Sequence, residues 1–173
     1  MRRPRLDRLP PREEPPAGYT LRTAVAGDEK ELSRVLNLAF PDDPWDTARV
    51  RRDLTEAPDV EAVFVIEHAG RIVATGSSRY VPDRFPGSGY LHWVGADPAH
   101  AGKSLGRIVT LATLHHMREH GRADAVLETD DFRLPAIRTY LNLGFLPEDT
   151  REGDLDRWAR IFDRLERFQA KKK

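Results

Sequence analysis

The sequence predicts one α/β (α+β) domain, and three observations carry that reading. AVFVIEH (62–68) and RIVATGSSRY (71–80) are apolar runs separated by Ala69–Gly70, which is the pattern of a β-hairpin. GYLHWVGADPAHAGKSLGRIV (89–109) runs from an apolar strand through a glycine-bearing turn into a helix. The 173-residue chain is also long enough to bury a real core within a single domain.

The elements follow in order. Residues 1–17 are rich in proline and arginine and are expected to form a disordered arm ahead of the domain (18–150). Tyr19–Thr23 reads as the first strand. Asp28 is a candidate N-cap for a helix with Leu32, Val35, Leu36 and Ala39 at helical spacing. PDDP (41–44) ends it, and Asp46 is placed to cap a short second helix with Val50 and Leu54 inward. After the hairpin, VPDRFPGSG (81–89) is a loop and YLHWVGA (90–96) the central strand. Ser104–His120 is expected to be a helix, DAVLETD (124–130) a strand and Arg133–Leu143 a helix capped by Asp130 and Asp131. Phe145–Leu146 opens a last strand. Leu155, Trp158, Phe162 and Leu165 mark an amphipathic C-terminal helix within 151–173, which ends in a basic tail.

Composition excludes several classes. Lys+Arg and Asp+Glu are both 28, so nothing in the charge argues for a nucleic-acid partner. The absence of cysteine excludes disulfides and thiolate catalysis. No apolar run approaches the ~18 residues of a membrane span, and the N-terminus lacks the apolar region of a secretory signal. A cytoplasmic protein without a membrane partner is the expectation. His116 and His120 sit four apart around Glu119, but no third ligand is visible and no metal is predicted.

The turn between the central strand and the next helix presents backbone N–H groups and a helix N-terminus, an arrangement suited to phosphate. AGKS looks like the end of a P-loop, yet the first glycine of that pattern would stand at 97, where the chain has Asp97. The order strand, V-x-x-D-P, four residues, G-x-x-x-G-R and helix instead resembles the acetyl-CoA loop of the GNAT N-acetyltransferase superfamily. PAIRTYLNLGF (135–145) resembles that superfamily's second signature, a tyrosine-bearing helix followed by Gly-Phe. Residues 90–147 are also similar to its mycothiol-acetyltransferase-like branch, whose members carry two tandem domains where this chain has room for one.

The resemblance implies a mixed, mostly antiparallel sheet with helices on both faces. It also implies acetyl-CoA as co-substrate and direct transfer of an acetyl group to a primary amine. The donor's pyrophosphate is expected on Gly102, Lys103, Ser104, Leu105, Gly106 and Arg107, and its thioester near the backbone of Val94, Gly95 and Ala96. Gly102 and Gly106 permit close approach or positive φ, and Lys103 and Arg107 add charge. The family pattern R/Q-x-x-G-x-G/A, laid over 101–106, puts Ala101 where Arg or Gln is usual and Ser104 where a glycine is usual. Ser104 fits if the backbone there is already helical.

The resemblance makes Tyr140 the proton donor to the departing thiolate; its spacing with Ile137, Leu141 and Gly144 also fits a core aromatic. His92 is the candidate general base, with Glu128 in reserve. Strand alternation groups His92, Val94 and Ala96 on one face. Arg133 stands where many relatives carry asparagine. Segments 41–55 and 80–89 are expected to recognise the acceptor, a small molecule or a protein or peptide amine, through Asp42, Asp43, Asp46, Trp45, Tyr80 and Phe85. The chain is expected to be a monomer or homodimer. A non-catalytic acyl-CoA-binding module is the alternative reading.

Overall fold

The computed structural model describes residues 1–150 and 152–170. Six strands form one sheet: β1 (Arg2–Arg3), β2 (Tyr19–Thr23), β3 (Val60–His68), β4 (Arg71–Arg79), β5 (Ser88–Ala96) and β6 (Asp124–Val126). Their spatial order is β1-β6-β5-β4-β3-β2. Every pairing is antiparallel except β5 with β6, so the sheet is mixed and mostly antiparallel. The β3–β4 turn falls at Ala69 and Gly70, both at positive φ, as a two-residue hairpin with right-handed strand twist requires.

Helices cover both faces. On one lie α1 (Glu29–Ala39) and α2 (Thr47–Val50), the latter continued by a π-helical turn, Arg51–Thr55. Leu32, Val35, Leu36, Val50 and Leu54 pack there against Val63, Val65 and Ile72. On the other face lies α3 (Leu105–Glu119), whose Leu105, Ile108, Val109 and Ala112 meet Phe64, Ile66, Val73 and Ala74. Asp46 caps α2 by accepting the Arg49 N–H at 2.7 Å. Asp28 precedes α1 without capping it, because its carboxylate is taken by Arg22 and the Val25 N–H. After α3 come α4 (Leu134–Asn142) and α5 (Asp154–Ala170).

Four expectations are corrected. The N-terminal arm is ordered: Arg2 and Arg3 pair with Val126 and Ala125 of β6, and Leu6 is 0% exposed among α3 residues and Phe145. Alternating arginine and proline hid two pairing positions and one core leucine. The predicted last strand at Phe145–Leu146 is reduced to a single bridge between Leu146 and Arg2. On α5 the buried stripe is Trp158, Ile161 and Leu165, packed on Ile137, while Leu155 is 71% exposed. Neither Asp130 nor Asp131 caps α4: Arg133 is the N-cap residue with no side-chain cap, and Asp131 pairs with Arg157 of α5. The basic tail at 171–173 lies outside the described residues. No helix among the described residues is long and apolar enough to cross a membrane.

Candidate active site

The site arises where two parallel strands part. β5 and β6 pair only at Ser88–Asp124, Gly89–Ala125 and Tyr90–Val126. Beyond Tyr90 the edge of β5 has no strand partner, and Leu127–Asp130 leave the sheet as a loop. At its far end the Asp97 N–H donates to Val73 O of β4 at 2.8 Å. Backbone alternation from Asp97 and Gly95 therefore turns the main-chain groups of Ala96 toward the open edge.

A bulge sets the side chains. Ser77 pairs with His92 and Thr75 with Gly95, so β5 carries one extra residue, and Trp93 takes φ 48° there. The simple alternation of His92, Val94 and Ala96 on one face is thereby overturned. Leu91 and Val94 pack toward α3. Trp93 packs toward α1, and the His92 ring lies between those of Tyr90 and Trp93, 5.1 and 5.0 Å away. Gly95 serves a close approach: a Cβ there would stand 2.7 Å from the Ala39 Cβ at the end of α1.

Three adjoining cavities follow the open edge. The first, about 420 Å³, is lined by His92, Trp93, Phe40, Asp42, Glu128 and Tyr140, among others. The second, about 290 Å³, shares Val94, Arg133 and Tyr140 with it and adds Gly95, Ala96 and Gly106. The third, about 570 Å³, continues along Gly102, Ser104, Leu105, Gly106 and Arg107. The predicted site residues thus lie along one cleft, except Lys103, whose ammonium sits 5.8 Å above the Tyr19 ring.

The loop differs in detail from the sequence reading. Gly102 takes φ 81°, and a Cβ on Gly106 would meet nothing, which leaves room for a ligand against the backbone. Ser104 stands at φ 58° and does not cap α3 with its side chain. Its backbone is left-handed rather than helical, so it occupies a glycine-favouring conformation without being glycine. Arg107 is held by Glu13 of the N-terminal segment at 2.7 Å.

Tyr140, 6% exposed, stands where the first two cavities meet, and its hydroxyl has no hydrogen-bond partner among the described residues. Burial pushes its pKa up to about 12, so the phenol holds its proton. His92 is lowered to about 3, chiefly by burial and then by the Arg79 charge. Arg79 approaches His92 Nδ1 at 3.2 Å and also grips Asp59. The ring is therefore neutral near pH 7, with Nδ1 as acceptor and Nε2 carrying the proton. Glu128 accepts the Tyr90 hydroxyl at 2.9 Å and an Arg84 N–H at 2.7 Å.

Of the acceptor candidates, Asp42 and Asp43 line the first cavity. Asp43 is paired with Arg49, while Trp45 is buried beneath α1. Tyr80 lies under Arg122 and Phe85 stacks on Tyr90. Sequence reasoning missed Phe40, which the end of α1 brings to the cleft, and Trp93, which the bulge brings there. It read 124–130 as strand throughout, whereas β6 ends at Val126 and Glu128 reaches the cleft from a loop. Arg133 stacks over Phe40 at 4.1 Å and lines two cavities, with no ion pair among the described residues. His116 and His120 stack on each other at 3.9 Å, and no group of three possible metal ligands exists among the described residues.

The model of the acetyltransferase (GNAT) family matches residues 30–145, from α1 through the loop and α4. The chain belongs to the GNAT family. It is 36% identical over 151 residues to mycothiol acetyltransferase of Thermomonospora curvata, covering 84% of this chain and 50% of that protein. It is 38% identical over 146 residues to the enzyme of the same name from Nocardia farcinica, covering 76% and 46%. The chain thus spans about half the length of the curated relatives it matches. Among solved structures, a putative acetyltransferase from Agrobacterium tumefaciens superposes with a TM-score of 0.65 at 22% identity, covering 76% of this chain and 96% of that one. The ribosomal-protein-S18-alanine N-acetyltransferase of Escherichia coli gives 0.64 at 19% identity, covering 76% and 79%. These likenesses establish the GNAT fold.

Proposed function

We propose that this GNAT chain is an acetyl-CoA-dependent N-acetyltransferase acting directly on a primary amine, and that it works in the cytoplasm. The observation that carries the reading is the continuity of the cleft. The loop at 102–107 opens onto the same groove as the edge of Val94–Ala96, and the unpartnered Tyr140 hydroxyl stands where that groove meets the first cavity. The donor's pyrophosphate rests on the loop N–H groups, and its thioester lies along β5. The acceptor enters the first cavity, where Asp42 and Asp130 favour an amine.

The amine nitrogen bonds to the acetyl carbon, main-chain N–H groups of β5 stabilise the oxyanion, and the carbon–sulfur bond breaks. Tyr140 gives its proton to sulfur. A buried phenol is a weak acid, but a thiolate released beside it is desolvated too and is correspondingly basic. His92 meets the acceptor as a neutral ring. Burial leaves that ring too weak a base to hold the amine proton, so the proton passes to the Glu128 carboxylate on the wall of the same cavity, directly or through water.

A second reading, an acyl-CoA-binding module without turnover, is favoured by Ala101, by Ser104 at positive φ and by the engagement of Arg107. Thermal stability with saturating acetyl-CoA, CoA or Mg-ATP, followed by thiol release on a panel of amines, decides between them. A rise of several degrees with both CoA species together with amine-dependent thiol release supports the enzyme. Binding without release supports the module, and no rise with either CoA species sinks both.

A further inference from the structure

We propose that Arg138 of α4 supplies the charge for the donor's phosphates from across the groove, in place of the side chain missing at Ala101. The inference rests on the acyl-CoA reading above.

The third cavity lies between the loop and α4. One wall is Ala101, Gly102, Ser104 and Gly106, small residues that leave main chain exposed, and the other includes Arg138, Thr139 and Asn142. A polyanion in this space needs cations, and most charged groups on its lining are committed. Asp97 accepts from Arg34 at 3.1 Å, His100 Nδ1 meets the Tyr19 hydroxyl at 2.8 Å, and Arg107 is neutralised by Glu13. Lys103 points to Tyr19 and does not line the cavity. Arg138 is half-buried, lines the cavity, and has neither a hydrogen bond nor an ion pair among the described residues. A guanidinium presents a planar fork of donors that suits phosphate oxygens, and here its position on a packed helix fixes its origin. The same helix carries Tyr140 toward the other end of the cleft, so α4 would address both the phosphates and the thioester.

Calorimetric titration of acetyl-CoA into the full chain, Arg138→Ala and Arg138→Lys, at low and at raised salt, tests this. Loss of a charge-assisted contact weakens binding about tenfold or more in Arg138→Ala. The deficit should shrink as salt screens the attraction, and Arg138→Lys should lie between the two. Because Arg138 has no polar partner among the described residues, the unfolding midpoint of the alanine variant should match the parent. Equal affinity in Arg138→Ala, or a deficit independent of salt, would overturn the proposal while leaving the acyl-CoA reading intact. Failure of the unaltered chain to bind acetyl-CoA would overturn that reading, and this inference with it.

Discussion

Glu13 grips Arg107 through three contacts of 2.7 to 3.1 Å, joining the N-terminal segment to the first turn of α3. A carboxylate here occupies the guanidinium as a phosphate would. Around it, Arg12 reaches Glu119 and His115 Nε2 meets Pro10 O, both at 2.8 Å, so the segment is strapped along α3. Partly exposed pairs contribute little to stability, so Glu13→Gln should change the unfolding free energy by less than about 1 kcal/mol. It frees Arg107 beside the loop, and acetyl-CoA should bind about threefold or more tighter at low salt. Calorimetry alongside chemical denaturation reads both, and an unchanged affinity would show that Arg107 takes no part in binding.

The same segment is part of the core. Leu6 is fully buried against Leu111, Leu114, Met117 and Phe145, and the Leu6 N–H donates to Ala123 O at 2.9 Å. Leu6→Ala should cost about 2–5 kcal/mol, the range for a buried leucine truncated in a packed core. A urea midpoint indistinguishable from the parent would mean the segment is only laid on the surface.

Tyr140→Phe isolates the hydroxyl. Removing an unpartnered hydroxyl leaves packing in place, so stability and acetyl-CoA affinity should hold. Turnover should fall about 10²–10⁴-fold, the usual contribution of a positioned proton donor. Full activity with the best amine found would exclude Tyr140 as the acid, and its hydroxyl would then be merely a polar tip on a core aromatic.

What was legible in the sequence follows from range. Local signals were sufficient for the hairpin, whose turn residues and apolar flanks are contiguous, and for α1 and α2, whose spacing and Asp46 cap are self-contained. The paired signatures at 89–109 and 135–145 marked both walls of the cleft. Long-range partners were not legible. Arg2 and Arg3 look like tail residues until Ala125 and Val126 are set beside them. The extra residue at Trp93 is visible only against the register of β4, and it alone decides which face His92 joins. The neutralisation of Arg107 needs Glu13, which is remote in sequence.

Acid should reveal how His92 is held. Its ring is lowered from an ordinary 6.5 to about 3, first by burial and then by the neighbouring Arg79 charge, with Asp59 and Asp53 opposing. Between those values the unfolded chain binds a proton that the native ring refuses. The stability associated with a neutral His92 is therefore complete above about pH 6.5 and is lost as pH falls toward 3, by at most about 1.4 kcal/mol per pH unit for one proton. His115 and His116 are lowered as well, mainly by burial, and act in the same direction. Carboxylates such as Asp28, held low chiefly by Arg22, add their loss further down. Replacing the ring with an amide that does not titrate removes one of these contributions. The unfolding free energy of His92→Gln, followed by urea denaturation from pH 7 to pH 4, should decline less steeply than that of the parent. Parallel declines would mean that the His92 ring takes up its proton as readily in the native chain as in the unfolded one, and that its contact with Arg79 does not exclude it.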